Sequence, residues 1–479
     1  MAVKPTYENP LTTRYASRAM RELFSPDERY RSWRELWIAL ARAEKRLGLP
    51  ITDGQVEAME AAAAMPIDYD RVAALEKELR HDVMAHLHAF AEHCPDAKPI
   101  LHLGATSCYV TDNSDLLLLR RGMDLILTSL VNVVEALADL AEKWRDLPTI
   151  GYTHFQTAQP VTVGKRACLW LQDALLDLDR LEFEIGAFRI RGVKGTTGTQ
   201  ASFLELFEGD EGKVKELDRL VAEELGTADV FPVTGQTYPR KVDYAILSVL
   251  SGIGQSAHKF ANDIRLLMHM DEVEEPFTKS QIGSSAMPYK RNPMRTERMT
   301  ALARFLISVT ENAAQTAAEQ WLERTLDDSA NRRISLPQAF LAADAILTLQ
   351  ANVARGLNVH ETVVANNLRR ELPFLATERI LMLGVKAGGD RQVLHERIRV
   401  HALGAKTALR EGAVENDLLD RLRADPAFAA VADDLDGLLD PSEYVGRAPA
   451  QVDEFVDGHV RPRLEEYADR LGQENEVRV

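Results

Sequence analysis

Residues 112–144 read DNSDLLLLRRGMDLILTSLVNVVEALADLAEKW. Apolar side chains recur there at Leu116, Leu119, Met123, Ile126, Leu130, Val133, Leu137, Leu140 and Trp144. The spacing alternates three and four without a break, which makes one seam along a single long helix. Asp112, Asn113 and Ser114 are candidate N-caps, and Pro148 follows the end. A helix of ~30 residues runs about 45 Å and needs partners of similar length.

Those partners follow in order. A second helix is expected after Pro160, with two apolar stripes: Val163, Ala167, Trp170 and Ala174, then Cys168, Leu171, Leu175 and Leu178. A third starts at Pro239 and runs through Leu267, a fourth follows Asn292-Pro293, and a fifth runs from about Ser335 past Leu347. Five such helices bury their seams together as an elongated bundle. The fold expected is therefore all-α, with an N-terminal helical domain at 1–111, the long-helix bundle at 112–360 and a C-terminal helical domain at 361–479. No β-alternation and no tandem repeat stands out. Helices apolar on more than one side predict packing against further copies, hence a homo-oligomer.

The composition narrows the function. The 479 residues carry 57 Lys+Arg against 73 Asp+Glu, a net charge of −16. A chain this acidic is a poor general ligand for nucleic acid. Its three cysteines, Cys94, Cys108 and Cys168, form neither a disulfide framework nor a thiolate metal site. With no signal-like N-terminus and no apolar run of membrane-spanning length, the expectation is a cytoplasmic protein without membrane contact.

Five segments carry possible chemistry. Residues 283–293, GSSAMPYKRNP, join two long helices, and small residues let such a loop move or approach a ligand closely. Lys290, Arg291, Arg295 and Arg298 give this acidic chain a local basic excess and predict an anion at the start of the next helix. A polar loop followed by a solvated helix face fits that charge pattern equally well. His154, within GYTHFQTAQP, is a candidate general acid or base, although a lone loop histidine is commonly inert. The hydroxyl-rich GTTGTQ of 195–200 suits carboxylate oxygens, or is a simple linker. Arg324, Arg332 and Arg333 are forks for phosphate or carboxylate, unless nearby aspartates neutralise them. His81, His86, His88 and His93 invite a zinc reading, but the five-residue step from His81 to His86 misses the i, i+4 face. No metal is expected.

Taken together, Gly283, Ser284, Met287, Lys290 and Asn292 resemble the signature loop of the fumarase/aspartase superfamily. Tyr289 and Arg291 resemble its adenylosuccinate lyase family. Thr13-Arg14-Tyr15, Arg80-His81-Asp82, Gly104-Ala105-Thr106-Ser107, Thr153-His154 and Arg324-Thr325-Leu326-Asp327-Asp328-Ser329 agree in order along the chain. Thr157 departs from the proline the family often has there. The resemblance implies a β-elimination releasing fumarate from adenylosuccinate, giving AMP, and from the succinyl-carboxamide ribonucleotide of purine synthesis. It implies no cofactor and a homotetramer with active sites shared between subunits. By position it implies Ser284 as general base, His154 as general acid, His81 as a second histidine near the substrate, and Lys290 with Asn292 as stabilisers of the developing charge. Arg14, Tyr15, Arg80, Asp82, Arg298, Arg324, Ser329 and Arg333 resemble nucleotide contacts, and Thr106, Ser107 and Gln200 other substrate contacts. A lyase acting on argininosuccinate and a catalytically silent helical scaffold are the alternatives.

Overall fold

The computed structural model describes residues 6–227, 229–278, 281–473 and 476–477. Five long helices dominate: α1 (Ser107–Lys143), α2 (Val163–Gly186), α3 (Lys241–His269), α4 (Met294–Ala318) and α5 (Asp327–Gly356). Helix α1 packs on α2 and α5; α3 packs on α2, α4 and α5; α4 packs on α5. The heptad seam of α1 is the inner face, with Leu116, Ile126, Val133 and Leu137 all at 0% exposure. Gly122 lets α5 come close, since a Cβ there would sit 2.7 Å from the Phe340 ring. The most apolar window of α5 is long enough to cross a membrane by length and composition, but 83% of it is buried inside the molecule.

The helix boundaries differ instructively from the sequence expectations. Helix α1 begins at Ser107, after an extended Thr106, so the expected caps lie inside it. Asp112, Asn113 and Ser114 are buried and serve as ties between segments instead. Asn113, for example, donates to Gly192 O at 3.1 Å and accepts from Gly192 N at 3.0 Å. Helix α2 begins at Val163, capped by Thr162, whose hydroxyl accepts from Lys165 N at 3.1 Å. Pro160 lies in a strand, paired opposite Ile150.

That strand belongs to a hairpin absent from the sequence reading: β1 (Pro148–Thr153) pairs antiparallel with β2 (Gln156–Thr162). Its polar residues show no in–out alternation, because it lies on the rim of the bundle rather than across a core. A second small ladder joins β3 (Val273–Glu274) to β4 (Asn358–Val359), tying the end of α3 to the end of α5.

Among the described residues four apolar clusters sit along the molecule, the smallest formed by Val72, Leu75, Ala85 and Ala89. The largest fills the bundle and includes Val452, Val456, Val460 and Leu464 from late in the chain. The second gathers Trp33, Trp37 and Phe90 with Ile190, Phe203 and Leu217. The third draws its side chains from between Ala376 and Leu438, among them Ile380, Leu394, Leu418 and Phe428.

Inside the second cluster region, Glu44 is fully buried and neither carboxylate oxygen has a hydrogen-bond partner. Burial pushes its pKa up to about 9. The unfolded chain ionises this group near 4.5, so between those values the folded state holds the extra proton and stability falls as pH rises. Each pH unit in that window costs up to about 1.4 kcal/mol. Glu44→Gln should flatten this slope, gaining on the wild type in urea unfolding at pH 8 and little at pH 5. Parallel pH profiles for the two chains would mean that Glu44 ionises normally when folded.

Candidate active site

The site starts from charges inside the bundle. Asp112 and Asp115 on α1, Asp243 on α3, and Asp328 with Arg332 on α5 converge at one end, with Arg240 just before α3. Arg240 donates to both oxygens of Asp112 at 3.2 Å and, through Nε, to Asp328 Oδ2 at 2.7 Å. Arg332 donates to Asp243 Oδ2 at 2.7 Å, to Asp115 Oδ2 at 2.9 Å, and to the Tyr238 hydroxyl. Tyr238 in turn donates to Asp243 Oδ1 at 2.5 Å. Arg29 adds a bond to Asp115 at 3.1 Å. Burial works against the Asp115 charge, but Arg29, Arg332 and Arg240 outweigh it and hold the carboxyl below its ordinary range.

On this floor lies a cavity of about 580 Å3. Eight of the expected residues line it: Arg80, His81, Asp82, Thr106, Ser107, Arg324, Ser329 and Arg333. Arg80 ends the helix Tyr69–Leu79 in a left-handed conformation, and His81 caps the next helix, Asp82–His93. The Nδ1 of His81 accepts from Met84 N at 3.4 Å, which in the neutral ring leaves the proton on Nε2, 3.3 Å from Ser107 Oγ. Burial would raise the Asp82 pKa, but the 2.8 Å bond from Arg333 and the Val83 N–H lower it below the usual value. Gln236 also lines the cavity, donating to Thr106 Oγ1 at 3.3 Å. Neither it nor Arg240 was singled out from sequence, although the Gly-Gln-Thr-Tyr-Pro run before a helix is a polar turn of the right kind.

The signature loop is elsewhere. It follows β3, which pairs with β4 at the far end of α5. That helix has 30 residues and runs about 45 Å, and only its first turns, as far as Pro337, line the cavity, so the loop's end of the bundle lies most of a helix length away. Arg291 holds the loop to Glu274 of β3 at 2.5 Å, and Asn292 Nδ2 closes it by donating to Gly283 O at 2.7 Å. Gly283 is needed here: a Cβ would lie 2.2 Å from Lys290 O. Ser284 Oγ accepts two backbone N–H groups, from Ala286 at 3.3 Å and Met287 at 3.1 Å. Lys290 is exposed on the same loop. The anion expected at the start of the following helix turns out to be the chain's own: Glu275 accepts from Arg295 N at 3.0 Å and Thr296 N at 2.8 Å. One turn further in, the Arg298 guanidinium lies over the Tyr15 ring at 5.2 Å, with Arg14 exposed beside Tyr15.

His154 also lies at the end remote from the cavity, since the 37-residue α1, about 55 Å long, leads from Ser107 to the hairpin. With Phe155 it forms the two-residue turn, both at positive φ (52° and 55°), and both are exposed. Such turns ordinarily use Asn-Gly. Two ordinary side chains held there carry strain of about 1–3 kcal/mol each, a feature of functional sites.

Gln200 is placed differently from the other candidates. Its amide donates to Val193 O at 2.9 Å within the 191–200 loop and to Asp218 Oδ2 at 3.1 Å on the helix Glu211–Glu224, and it does not line the cavity. His86 stacks on Tyr30 with centroids 3.8 Å apart, and burial lowers its pKa to about 4.

Residues 15–307 match the family described as Lyase, and residues 373–455 match the family described as Adenylosuccinate lyase C-terminus. The chain is 52% identical over 475 residues to the adenylosuccinate lyase of Saccharomyces cerevisiae, covering 98% of each. It is 50% identical over 471 residues to that of Schizosaccharomyces pombe, again covering 98% of each. Among solved structures, a fumarate lyase from Mesorhizobium sp. BNC1 aligns with a TM-score of 0.80 at 27% identity, covering 95% of this chain and 100% of that one.

The buried network makes a stability prediction. Arg332→Met leaves Asp243 buried without its cation and Asp115 with Arg29 alone, and should cost about 3–5 kcal/mol in urea unfolding. Arg333→Ala breaks an ion pair half open to solvent and should cost at most about 1 kcal/mol. Equal losses would mean that the network is not the element that fastens the helices.

Proposed function

Because the chain belongs to the adenylosuccinate lyase family of the fumarase/aspartase superfamily, we propose that it cleaves adenylosuccinate to AMP and fumarate. On the same reading it releases fumarate from the succinyl-carboxamide ribonucleotide (SAICAR, giving AICAR). The observation that carries the reaction is the pair of backbone N–H groups on Ser284 Oγ. A serine hydroxyl is a poor base unless its oxyanion is stabilised, and two aimed amides with Lys290 in the same loop supply that stabilisation.

The chemistry then follows from the charges. Ser284 takes the proton from the carbon next to a carboxylate, and the electron pair spreads into that carboxylate. Lys290 and Asn292 stabilise the added negative charge. The pair then forms the carbon–carbon double bond of fumarate as the C–N bond breaks. His154, held outward by its strained turn, gives a proton to the leaving nitrogen. His81 supports charge placement beside Ser107. Arg80, Arg324, Ser329 and Arg333 face the anionic groups of the nucleotide, and Arg14, Tyr15 and Arg298 contribute further contacts. No cofactor takes part, since protonation is what activates the leaving group.

The same reading makes the enzyme an oligomer, a homotetramer in cytoplasm, working on a small nucleotide rather than on nucleic acid or membrane. Its support is the length of the helices: Ser284 and His154 stand a helix length away from the cavity residues of their own chain. A second copy laid alongside brings the two ends together.

The direct test is fumarate release from adenylosuccinate, from the succinyl-carboxamide nucleotide and from argininosuccinate in parallel. Release from the two purine substrates is expected. In Ser284→Ala turnover should fall by at least about 1,000-fold while AMP binding stays within about threefold. Release from argininosuccinate alone would move the protein to another branch, and near-normal turnover in Ser284→Ala would remove that serine from the mechanism.

A further inference from the structure

Resting on the lyase reading above, we infer that Asp328 is a positioning residue that orients Arg324 toward the bound nucleotide. Asp328 lies in the first turn of α5 and its side chain is 0% exposed. One oxygen, Oδ2, accepts from Arg240 Nε at 2.7 Å. The other, Oδ1, is buried without a hydrogen-bond partner. A buried carboxylate oxygen left unpaired is costly and calls for a donor or a nearby positive charge.

Arg324 is the cation placed to answer it. Its Nη2 stands 3.9 Å from Asp328 Oδ1, within ion-pair range and beyond hydrogen-bond range. On the other side its Nη1 donates to Cys108 Sγ at 3.3 Å, and sulfur is a weak acceptor. Arg324 sits in the irregular segment before α5, where no helix fixes its direction. Its orientation therefore comes from what its guanidinium touches: a thiol and a buried anion. Asp328 is itself tied down, because the Arg240 that donates to it also donates to both oxygens of Asp112. The succession Asp112, Arg240, Asp328, Arg324 thus carries the rigidity of the bundle floor to the cavity wall. A shift of about 1 Å would close the gap to Oδ1 within hydrogen-bond range. The outer edge of the fork would then be set for a phosphate or carboxylate.

The pairing is specific to this arginine. Arg333 already has Asp82 at 2.8 Å, and Arg332 has Asp243 and Asp115. Only Arg240 and Arg324 pair with Asp328 among the described residues, and Arg240 faces the floor rather than the wall.

The test is a double-mutant cycle on AMP affinity by titration calorimetry, with wild type, Asp328→Asn, Arg324→Ala and the double variant. Asp328→Asn should weaken AMP binding about tenfold, with Arg324→Ala weaker still and the double variant no weaker than Arg324→Ala alone. In turnover, Asp328→Asn should raise KM while kcat stays within about threefold. Additive losses across the cycle would overturn the inference, since Asp328 would then act independently of Arg324. If Asp328→Asn does not fold, Arg324→Lys decides: it keeps the charge and loses the fork. A loss of about tenfold upholds orientation, and wild-type affinity overturns it. A wild-type chain that binds no AMP and releases no fumarate would overturn the lyase reading and this inference together, whereas binding with an additive cycle overturns the inference alone.

Discussion

Arg240 and Arg332 each satisfy carboxylates from two of the three helices α1, α3 and α5, and neither can leave without stranding a charge out of water. Apolar seams hold those helices side by side but do not fix their position along one another. The ion network does, because its bonds have direction and the groups are too buried for water to substitute. That fixed end is what allows residues from Arg80 to Arg333 to face one cavity. A purely apolar floor of the same volume would pack as well, but it would offer no directed bonds to set α1, α3 and α5 in register.

The opposite end of the bundle is built on other terms. Ser284 and His154 stand on a loop and a hairpin tip, tied down by a few bonds: Arg291 to Glu274, Asn292 to Gly283, and the left-handed pair His154-Phe155. In the proposed mechanism the groups that move protons thus stand on exposed elements, while most of the groups that face anions, Arg80, Arg324 and Arg333 among them, stand around the rigid floor. Long helices separate the two sets within one chain, and on the proposed reading a second copy is needed to bring them together.

Much of this was legible in the sequence, and the exceptions share a cause. The five helices and the residues of the signature loop are local patterns, and local patterns survive in a linear reading. Eight of the expected contacts do line one cavity. What escaped was long-range. Asp112 reads as a helix cap until Arg240, 128 residues away, is placed against it. Arg332 reads as a surface fork until Asp243 and Tyr238 enclose it. The anion expected at the start of α4 is Glu275, from the segment before the loop. Gln200 looks like a substrate contact by composition, yet the structure uses its amide to brace the 191–200 loop against Asp218.

The claim that most needs testing is that one catalytic site draws its cavity and its signature loop from different copies of the chain. His81→Ala damages the cavity and Ser284→Ala damages the loop, so each should be inactive alone. Mixed under conditions that allow subunits to exchange, the two should recover fumarate release from adenylosuccinate, because some sites then combine an intact cavity with an intact loop. No recovery, after native mass spectrometry has verified mixed oligomers, would contradict the account and place both residues of each site in one chain.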